Sequence, residues 1–455
     1  MSLMSHIGYS GMAAAQVALN TTANNVANMF TPGYSRLTTV MGSVGGTSEQ
    51  TVGGGVTVTS VRRMSDTFKT QQLWRATTNM QYYQAGQDYL GPMEGVMAAE
   101  GSSISVGLDN FYGALSAASD SPGGIPQRQQ ILSEMKNLTQ RFNGLNNHIN
   151  NQINALHGQR SAMGNEINGL ASNLALLNQK IVDAQSTGAD TSALLDSREQ
   201  LVGQLSQYAD VRVNEARDGS LRVSLSNGQP LVSGSSAGQL SVTTNAAGEQ
   251  EVALEFAGSS FPLQQNNLGG AFGGLYDVEH NNLLPARENL MEMAGALTTM
   301  ANDTLSRGYD LNGNPGQALL TFSPNSVTGL LKMNDLKPEE LALSGIAGDK
   351  GNNDVLLALA ELKNHKVTVA GSSVTLSEAY SGMLGEVASA SRQNQADFKS
   401  AQAVADQAQS QRDSVSAVNK DEEALMLMDY NKALQANMKV VQTANELFNN
   451  LLAAF

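Results

Sequence analysis

The chain has 455 residues, 41% of them hydrophobic but only 5% aromatic, with a net charge of −14 and no cysteine. That length accommodates about two to four domains, and an Ala/Leu/Met/Val-rich, aromatic-poor interior favours slender helical packing. The acidic balance argues against nucleic acid or an anionic membrane as partner, and the missing cysteines exclude disulfides, thiolate metal sites and cysteine nucleophiles.

In residues 1 to 30, Met12, Ala15, Leu19, Ala23, Val26 and Phe30 step by three and four, which traces one apolar face of a helix. The opposite face is Ser, Thr, Asn and Gln, and the first Lys, Arg, Asp or Glu is Arg36. A helix this short is marginal alone in water, so it needs a partner. Without charges it can be buried among other helices with no ion to desolvate. The stretch NNVANMFTPGYSR (24 to 36) ends it: Pro32 pushes Thr31 towards extended geometry and Gly33 permits a positive φ. No basic segment precedes an apolar core, so no cleaved secretory signal is expected.

Residues 37 to 61 read as short strands and glycine-rich turns, and 66 to 119 as mostly helical. From 127 to 184 a coiled-coil pattern runs through Ile131, Met135, Leu138, Phe142, Leu145 and Ile149. It continues at Leu156, Met163, Ile167, Leu170, Leu174, Leu177 and Ile181 after one phase slip. Wholly helical, that span is about 85 Å long. A shorter helix follows at 191 to 208. Residues 209 to 279 alternate in short runs broken by Asp-Gly and Asn-Gly, the signature of hairpins.

Helical spacing returns at Leu290, Ala294, Leu297, Ala301 and Leu305. A turn-rich stretch (308 to 335), a short helical stretch after Pro338 and a long helix over 374 to 417 come next. The final segment opens with NKDEE, where Asn419 can cap a helix whose first turn is acidic. Leu427, Tyr430, Leu434, Asn437, Val441, Ala444, Phe448, Leu451 and Phe455 then form one heptad seam. Both end segments are amphipathic and poor in charge. The simplest arrangement pairs them with one another, then with copies of themselves.

The expected fold is mainly α with inserted β. Residues 1–32 and 420–455 form a terminal-helix coiled coil, 33–208 and 280–419 a long-helix body, and 209–279 a small all-β outer domain.

Signals for chemistry are weak. His148 and His157 lie on opposite faces of one predicted helix, so they are not a ligand pair. GYSG (8 to 11) lacks the second glycine of a nucleophile elbow, since Met12 stands there. DLNGNPGQ (310 to 317) has Pro315 and Thr321 where a calcium loop needs Gly and an acid, and reads as a tight Asx-type turn. The glycines at 53 to 55 have no following Lys-Ser/Thr, and Glu339-Glu340 after Pro338 suits the acidic first turn of a helix. No enzyme and no cofactor are expected.

Two stretches carry a resemblance. In GMAAAQVALNTTANNVANMFTPGYSR these are Gln16, Ala18-Leu19, Asn25, Asn28, Thr31, Gly33, Tyr34 and Arg36. In SVSAVNKDEEALMLMDYNKALQANMKVVQTANELFNNLL they are the Ser-Val-x-x-Val-Asn-x-Asp-Glu-Glu start and the Gln-Thr-Ala-x-Glu-Leu-Phe finish. The chain resembles the axial proteins of the bacterial flagellum (rod, hook and junction subunits). RGYDLNGNPG and GDKGNNDVLLALAELKN, with the long helices, narrow the likeness to the first hook–filament junction family. The C-terminal helix carries less charge than that family usually shows.

The resemblance implies a structural adaptor joining hook to filament by helical self-assembly. Met12, Ala15, Leu19, Ala23, Val26 and Phe30 would form the N-terminal assembly face, and Leu427, Tyr430, Leu434, Val441, Ala444, Phe448 and Leu451 the C-terminal one. Asn25, Asn28, Thr31, Pro32, Gly33 and Tyr34 would form a hinge, with both asparagines at a crowded junction between subunits. The implied partners are copies of itself, the hook protein, the next junction protein (hook-associated protein 3), an export chaperone and the type III export apparatus. Nucleic acid and membrane insertion are not implied. The implied place is outside the cell at the hook–filament junction, after transit through the cytoplasm. The rival readings are a secreted adhesin or enzyme carried by the β segment, another axial subunit, and a cytoplasmic coiled-coil scaffold.

Overall fold

The computed structural model describes residues 3–45, 53–246, 248–324, 326 and 329–453. Helix α1 (Leu3–Ala27) ends where Pro32 and Gly33 (φ +79) turn the chain into an antiparallel hairpin, β1 (Leu37–Val44) and β2 (Gly55–Arg63), with a bulge at Val40/Met41. Part of the predicted strand region, 46–52, lies outside the described residues, as does Phe455 of the C-terminal seam.

Helices α2 (Thr67–Ala98), α3 (Ile104–Ala118), α4 (Ile125–Thr187) and α5 (Ser192–Tyr208) follow. Asp66 and Ser103 cap α2 and α3 by accepting backbone N–H bonds, and Gly188 (φ +72) closes α4 in the left-handed region. At 63 residues α4 is about 95 Å long and serves two cores. Ile131 to Leu156 pack with Met93, Phe111, Leu290, Met293 and Tyr380. Ile167 to Ala175 pack with α5 and the strands beyond it. The phase slip in the heptads falls between these cores. The buried seam there carries Arg160 and Gly164 rather than a large apolar residue.

The β segment holds two antiparallel sheets. One orders β3 (Val211–Glu215), β4 (Leu221–Leu225), β5 (Pro230–Ser233) and β6 (Ser236–Ala237). The other orders β7 (Gln239–Thr244), β8 (Gln250–Phe256) and β9 (Ser259–Pro262). Gly219 (φ +78) and Gly228 (φ +90) occupy the Asp-Gly and Asn-Gly turns that marked the hairpins.

The sequence reading extends β structure to 279, but residues 270–278 are helix α6 (Gly270–Val278). Its glycines are poor helix formers, which hid it. They allow close approach: a Cβ on Gly274 would overlap the Tyr82 backbone of α2. One π-helical turn (Glu279–Leu283) leads into α7 (Leu284–Leu305).

Short hairpins β10 (Leu320–Phe322) with β11 (Leu331–Met333), and β12 (Val367–Val369) with β13 (Ser372–Val374), flank α8 (Asp354–Glu361). The stretch after Pro338 is a single 3-10 turn. The long helix α9 (Leu376–Ser416) packs along α2, where Ala76, Ala405 and Ala408 allow a close approach. After a break at 417–419, α10 (Lys420–Ala453) turns back to α1, with Asn419 Oδ1 accepting from the amides of Asp421 (3.0 Å) and Glu422 (3.4 Å). The architecture is therefore mainly α with inserted β, with the two end helices paired.

Candidate assembly interface

Helices α1 and α10 run antiparallel, and of its apolar stripe α1 fully buries only Ala15. Its buried face is Ser5, Gly8, Gly11, Ala15, Ala18, Thr22 and Asn25, again at steps of three and four. A Cβ on Gly8 would lie 2.7 Å from Val441 Cγ2, and one on Gly11 would overlap the Asn437 amide. The glycines of GYSG therefore let two backbones meet. Ser10 of the same motif takes the Val56 N–H at 3.2 Å, fastening the hairpin to α1.

This packing redistributes the predicted faces. On α1, Ala15 is buried and Met12 and Leu19 are half-buried, while Ala23, Val26 and, in the turn just beyond the helix, Phe30 stay exposed, Phe30 at 89%. On α10, Val441 and Ala444 are buried against α1, and Leu427, Tyr430 and Leu434 are half-buried. Phe448 and Leu451 are exposed, as are Leu425, Met428, Leu447 and Leu452. The pair thus leaves large apolar side chains in water on both helices.

The hinge is built around Asn25, 1% exposed. Its amide nitrogen donates to Leu37 O (2.9 Å) and Glu423 Oε2 (3.1 Å), and its oxygen accepts from Tyr34 Oη (2.9 Å) and Leu37 N (2.9 Å). One side chain thereby ties the end of α1, the Tyr34 exit, the start of β1 and the first turn of α10. Arg36 completes the knot. It pairs with Glu422 at 2.9 Å, and its Nε lies 2.8 Å from the fully buried Glu423 Oε1, an ion-pair distance without hydrogen-bond geometry at that oxygen. Its backbone N–H donates to Ser416 O at the end of α9. Burial, with Asp196 and Glu423 nearby, pushes the Tyr34 phenol up to about 12.

The other predicted hinge residues are placed differently. Asn28 bonds locally, its amide nitrogen donating to Asn24 O at 3.0 Å and its oxygen accepting from Thr31 at 3.3 Å, while Thr31 and Pro32 are exposed. Asn25 has its partners within its own chain.

A second ionic layer anchors the hinge to the body. Ser35 is buried and donates its N–H to Asp196 Oδ2 at 3.1 Å. Arg63 pairs with Asp196 and Glu199, and Arg412 of α9 pairs with Glu199 at 3.0 Å. Burial pulls the Arg63 guanidinium down, but Glu199 and Asp196 outweigh it and its pKa is raised.

The remaining chemical signals resolve into packing. Arg160, 0% exposed, donates to Gln250 (2.7 Å), Gln265 (3.1 Å) and Glu279 (2.6 Å), and His157 Nε2 sits 2.5 Å from Glu279 Oε1. That knot joins α4, the start of β8, the 3-10 turn after β9 and the π turn at the heptad slip. Asp310 Oδ1 accepts from Asn312 N and Asn314 N, each at 2.8 Å, forming an Asx-type turn. Among the described residues no group of three or more His, Asp or Glu is placed to hold a metal, and no helix is long and apolar enough to cross a membrane.

Antiparallel end helices are thus knotted by a buried asparagine to a long-helix body. The Flagella basal body rod protein model matches residues 6–34, which cover most of α1 and the hinge. The model for the flagellar hook-associated protein FlgK helical domain matches residues 90–320, half of the chain, and the chain belongs to that family. It is similar to Flagellar hook-associated protein 1 of Escherichia coli K12, 24% identical over 99% of this chain and 100% of that one. The protein of the same name from Salmonella typhimurium LT2 is 25% identical over 99% of each chain. That from Bacillus subtilis 168 is 24% identical over 97% of this chain and 96% of its own. The solved flagellar hook junction protein FlgK from Burkholderia pseudomallei shares the fold, with a TM-score of 0.69 at 16% identity, covering 76% of this chain and all of that one.

Proposed function

We propose that this chain is a structural adaptor that joins the flagellar hook to the filament by helical self-assembly. The observation that carries the reading is the unspent apolar surface of the paired end helices. Their small-residue seam holds α1 to α10, while Val26, Phe30, Leu425, Met428, Phe448 and Leu451 face water. Surface of this kind, on elements of marginal stability alone, is suited to burial between subunits.

In this reading residues 1–32 and 420–455 line an inner tube, 33–208 and 280–419 form the body, and 209–279 face outward. Copies of the chain contact one another, the hook protein on one side and hook-associated protein 3 on the other. The chain is escorted by an export chaperone, leaves the cell unfolded through the type III apparatus and works outside it, with no catalytic step. Removing residues 1–30 or 425–455 leaves a soluble, folded body that no longer supports filament growth. Filaments of normal length on cells carrying either truncation would refute the reading.

A further inference from the structure

An open groove of about 360 Å³ lies between α1, the hairpin and α10. Ile7, Ala14, Met41, Val56 and Tyr430 line it, and none of its lining residues is charged. The Ser10–Val56 bond and Gly55 (φ +106), whose Cβ would overlap Ser10, draw the hairpin against α1 and fix the groove's width. Ligand-binding clefts have volumes of about 300–1,000 Å³, so the groove has room for a few large side chains.

The molecule also carries a surface that fits it. Ala444 is the last buried residue of α10, and beyond it Leu447, Phe448, Leu451 and Leu452 are 56–59% exposed. After Glu446 no described residue of this tip is charged. We propose that the α10 tip of one copy docks into the groove of the next, through Leu447, Phe448, Leu451 and Leu452. The inference rests on the self-assembly reading above and names the contact that carries it.

Three arguments select a second copy as the occupant. The groove's own α10 cannot fill it: α10 is one helix from Lys420 to Ala453, so Leu451 stands about 32 Å along the axis from Tyr430. The lengths agree, since residues 445–453 and the α1 wall from Ile7 to Ala15 each extend about 12 Å. Neither the four docking side chains nor the groove lining is charged, so their contact desolvates no ion, and the groove is continuous with the α1–α10 packing the tip prolongs. Tip and groove are different surfaces of the same molecule. Their contact is therefore head-to-tail and propagates into a ring or a helix rather than closing as a two-fold dimer.

The absence of native cysteine makes the test clean. Cells produce Leu451→Cys and Met41→Cys chains together, and appendages sheared from them are treated with a short bismaleimide. A dimer containing one chain of each kind is expected about tenfold above the Leu451→Cys/Ile346→Cys pair, because docked thiols meet at an effective concentration on the order of millimolar. Ile346 is an exposed residue of the loop before α8, remote from the groove. Phe448→Cys with Val56→Cys is the second pair, and is expected to behave alike. The proposal is overturned if the chains are in the appendages and neither pair exceeds the control, or if the tip cysteines are trapped on a different protein. Failure of native chains to enter the appendages would instead overturn the junction reading on which it rests.

Discussion

Replacing Asn25 with alanine removes one side chain and strands four groups around it. These are the Leu37 N–H and C=O, the Tyr34 hydroxyl and Glu423 Oε2, and the Glu423 carboxylate then keeps only the Arg36 ion pair. A buried polar group left without a partner costs about 1–3 kcal/mol, and more when it is charged. Leu37 and Tyr34 are half-buried and regain some hydration, whereas Glu423 is fully buried and does not. The net loss is about 3–5 kcal/mol, within the range for breaking a buried polar network. It falls on the end helices, the Tyr34 exit and the first strand rather than on the long-helix core, because every partner of Asn25 lies in them. Hydrogen exchange reads this directly: protection of the Leu37 amide and of the first turns of α10 drops by that amount, while amides in the Ile131–Leu156 stretch of α4 keep theirs. Asn25→Asp is worse at neutral pH, since a second carboxylate then faces Glu423. An alanine variant within about 0.5 kcal/mol of the native chain at both places would refute the reasoning, because that is the scale of an ordinary surface substitution.

Gly11→Val forces two methyl groups into the Asn437 amide and splays α1 from α10, at about 1–3 kcal/mol by overpacking, seen as lost exchange protection in α1 with the body unchanged. Arg160→Met leaves Glu279 buried with only the imidazoles of His157 and His280 near it. It lowers the urea stability of the body by about 3–5 kcal/mol, and adding Glu279→Gln recovers part of the loss. Polar replacement of Phe448 and Leu451 leaves monomer stability within about 0.5 kcal/mol, since both are exposed, while abolishing incorporation into appendages. Tyr34 gives a pH signature. Its folded value of about 12 lies above the ordinary 10, so the folded state holds the proton where the unfolded chain has lost it. Its contribution is intact below pH 10 and drains away between pH 10 and about 12, a decline that Tyr34→Phe removes from an alkaline unfolding series.

The end helices show where local pattern suffices. The seam from Leu427 to Ala444 is legible because heptad spacing is a property of neighbouring residues, and Val441 and Ala444 are indeed buried. On α1 the same logic marks an apolar face but not the residues that touch α10. Apolar spacing marked Met12 to Phe30, yet α10 packs on Gly8, Gly11 and Asn25, because close backbone approach rewards the absence of a side chain. Glycine spacing at 8 and 11 was the available signal, but as sequence it could not be told from a turn.

The sequence by itself determined the long helices, the hairpin turns at Asp-Gly and Asn-Gly, the α1 stop at Pro32-Gly33 and the lack of thiol chemistry, since each follows from spacing, φ preference or composition. Tertiary structure alone decided that 270–278 is a helix, where packing of glycines against Tyr82 overrides their propensity. It alone decided that the heptad slip holds a buried Arg160–Glu279 pair, and that Asn25 meets Glu423 across 398 residues of chain. A hydrogen-bond partner that distant leaves no trace in local periodicity. Its identity is set by which backbones the small residues allow to touch.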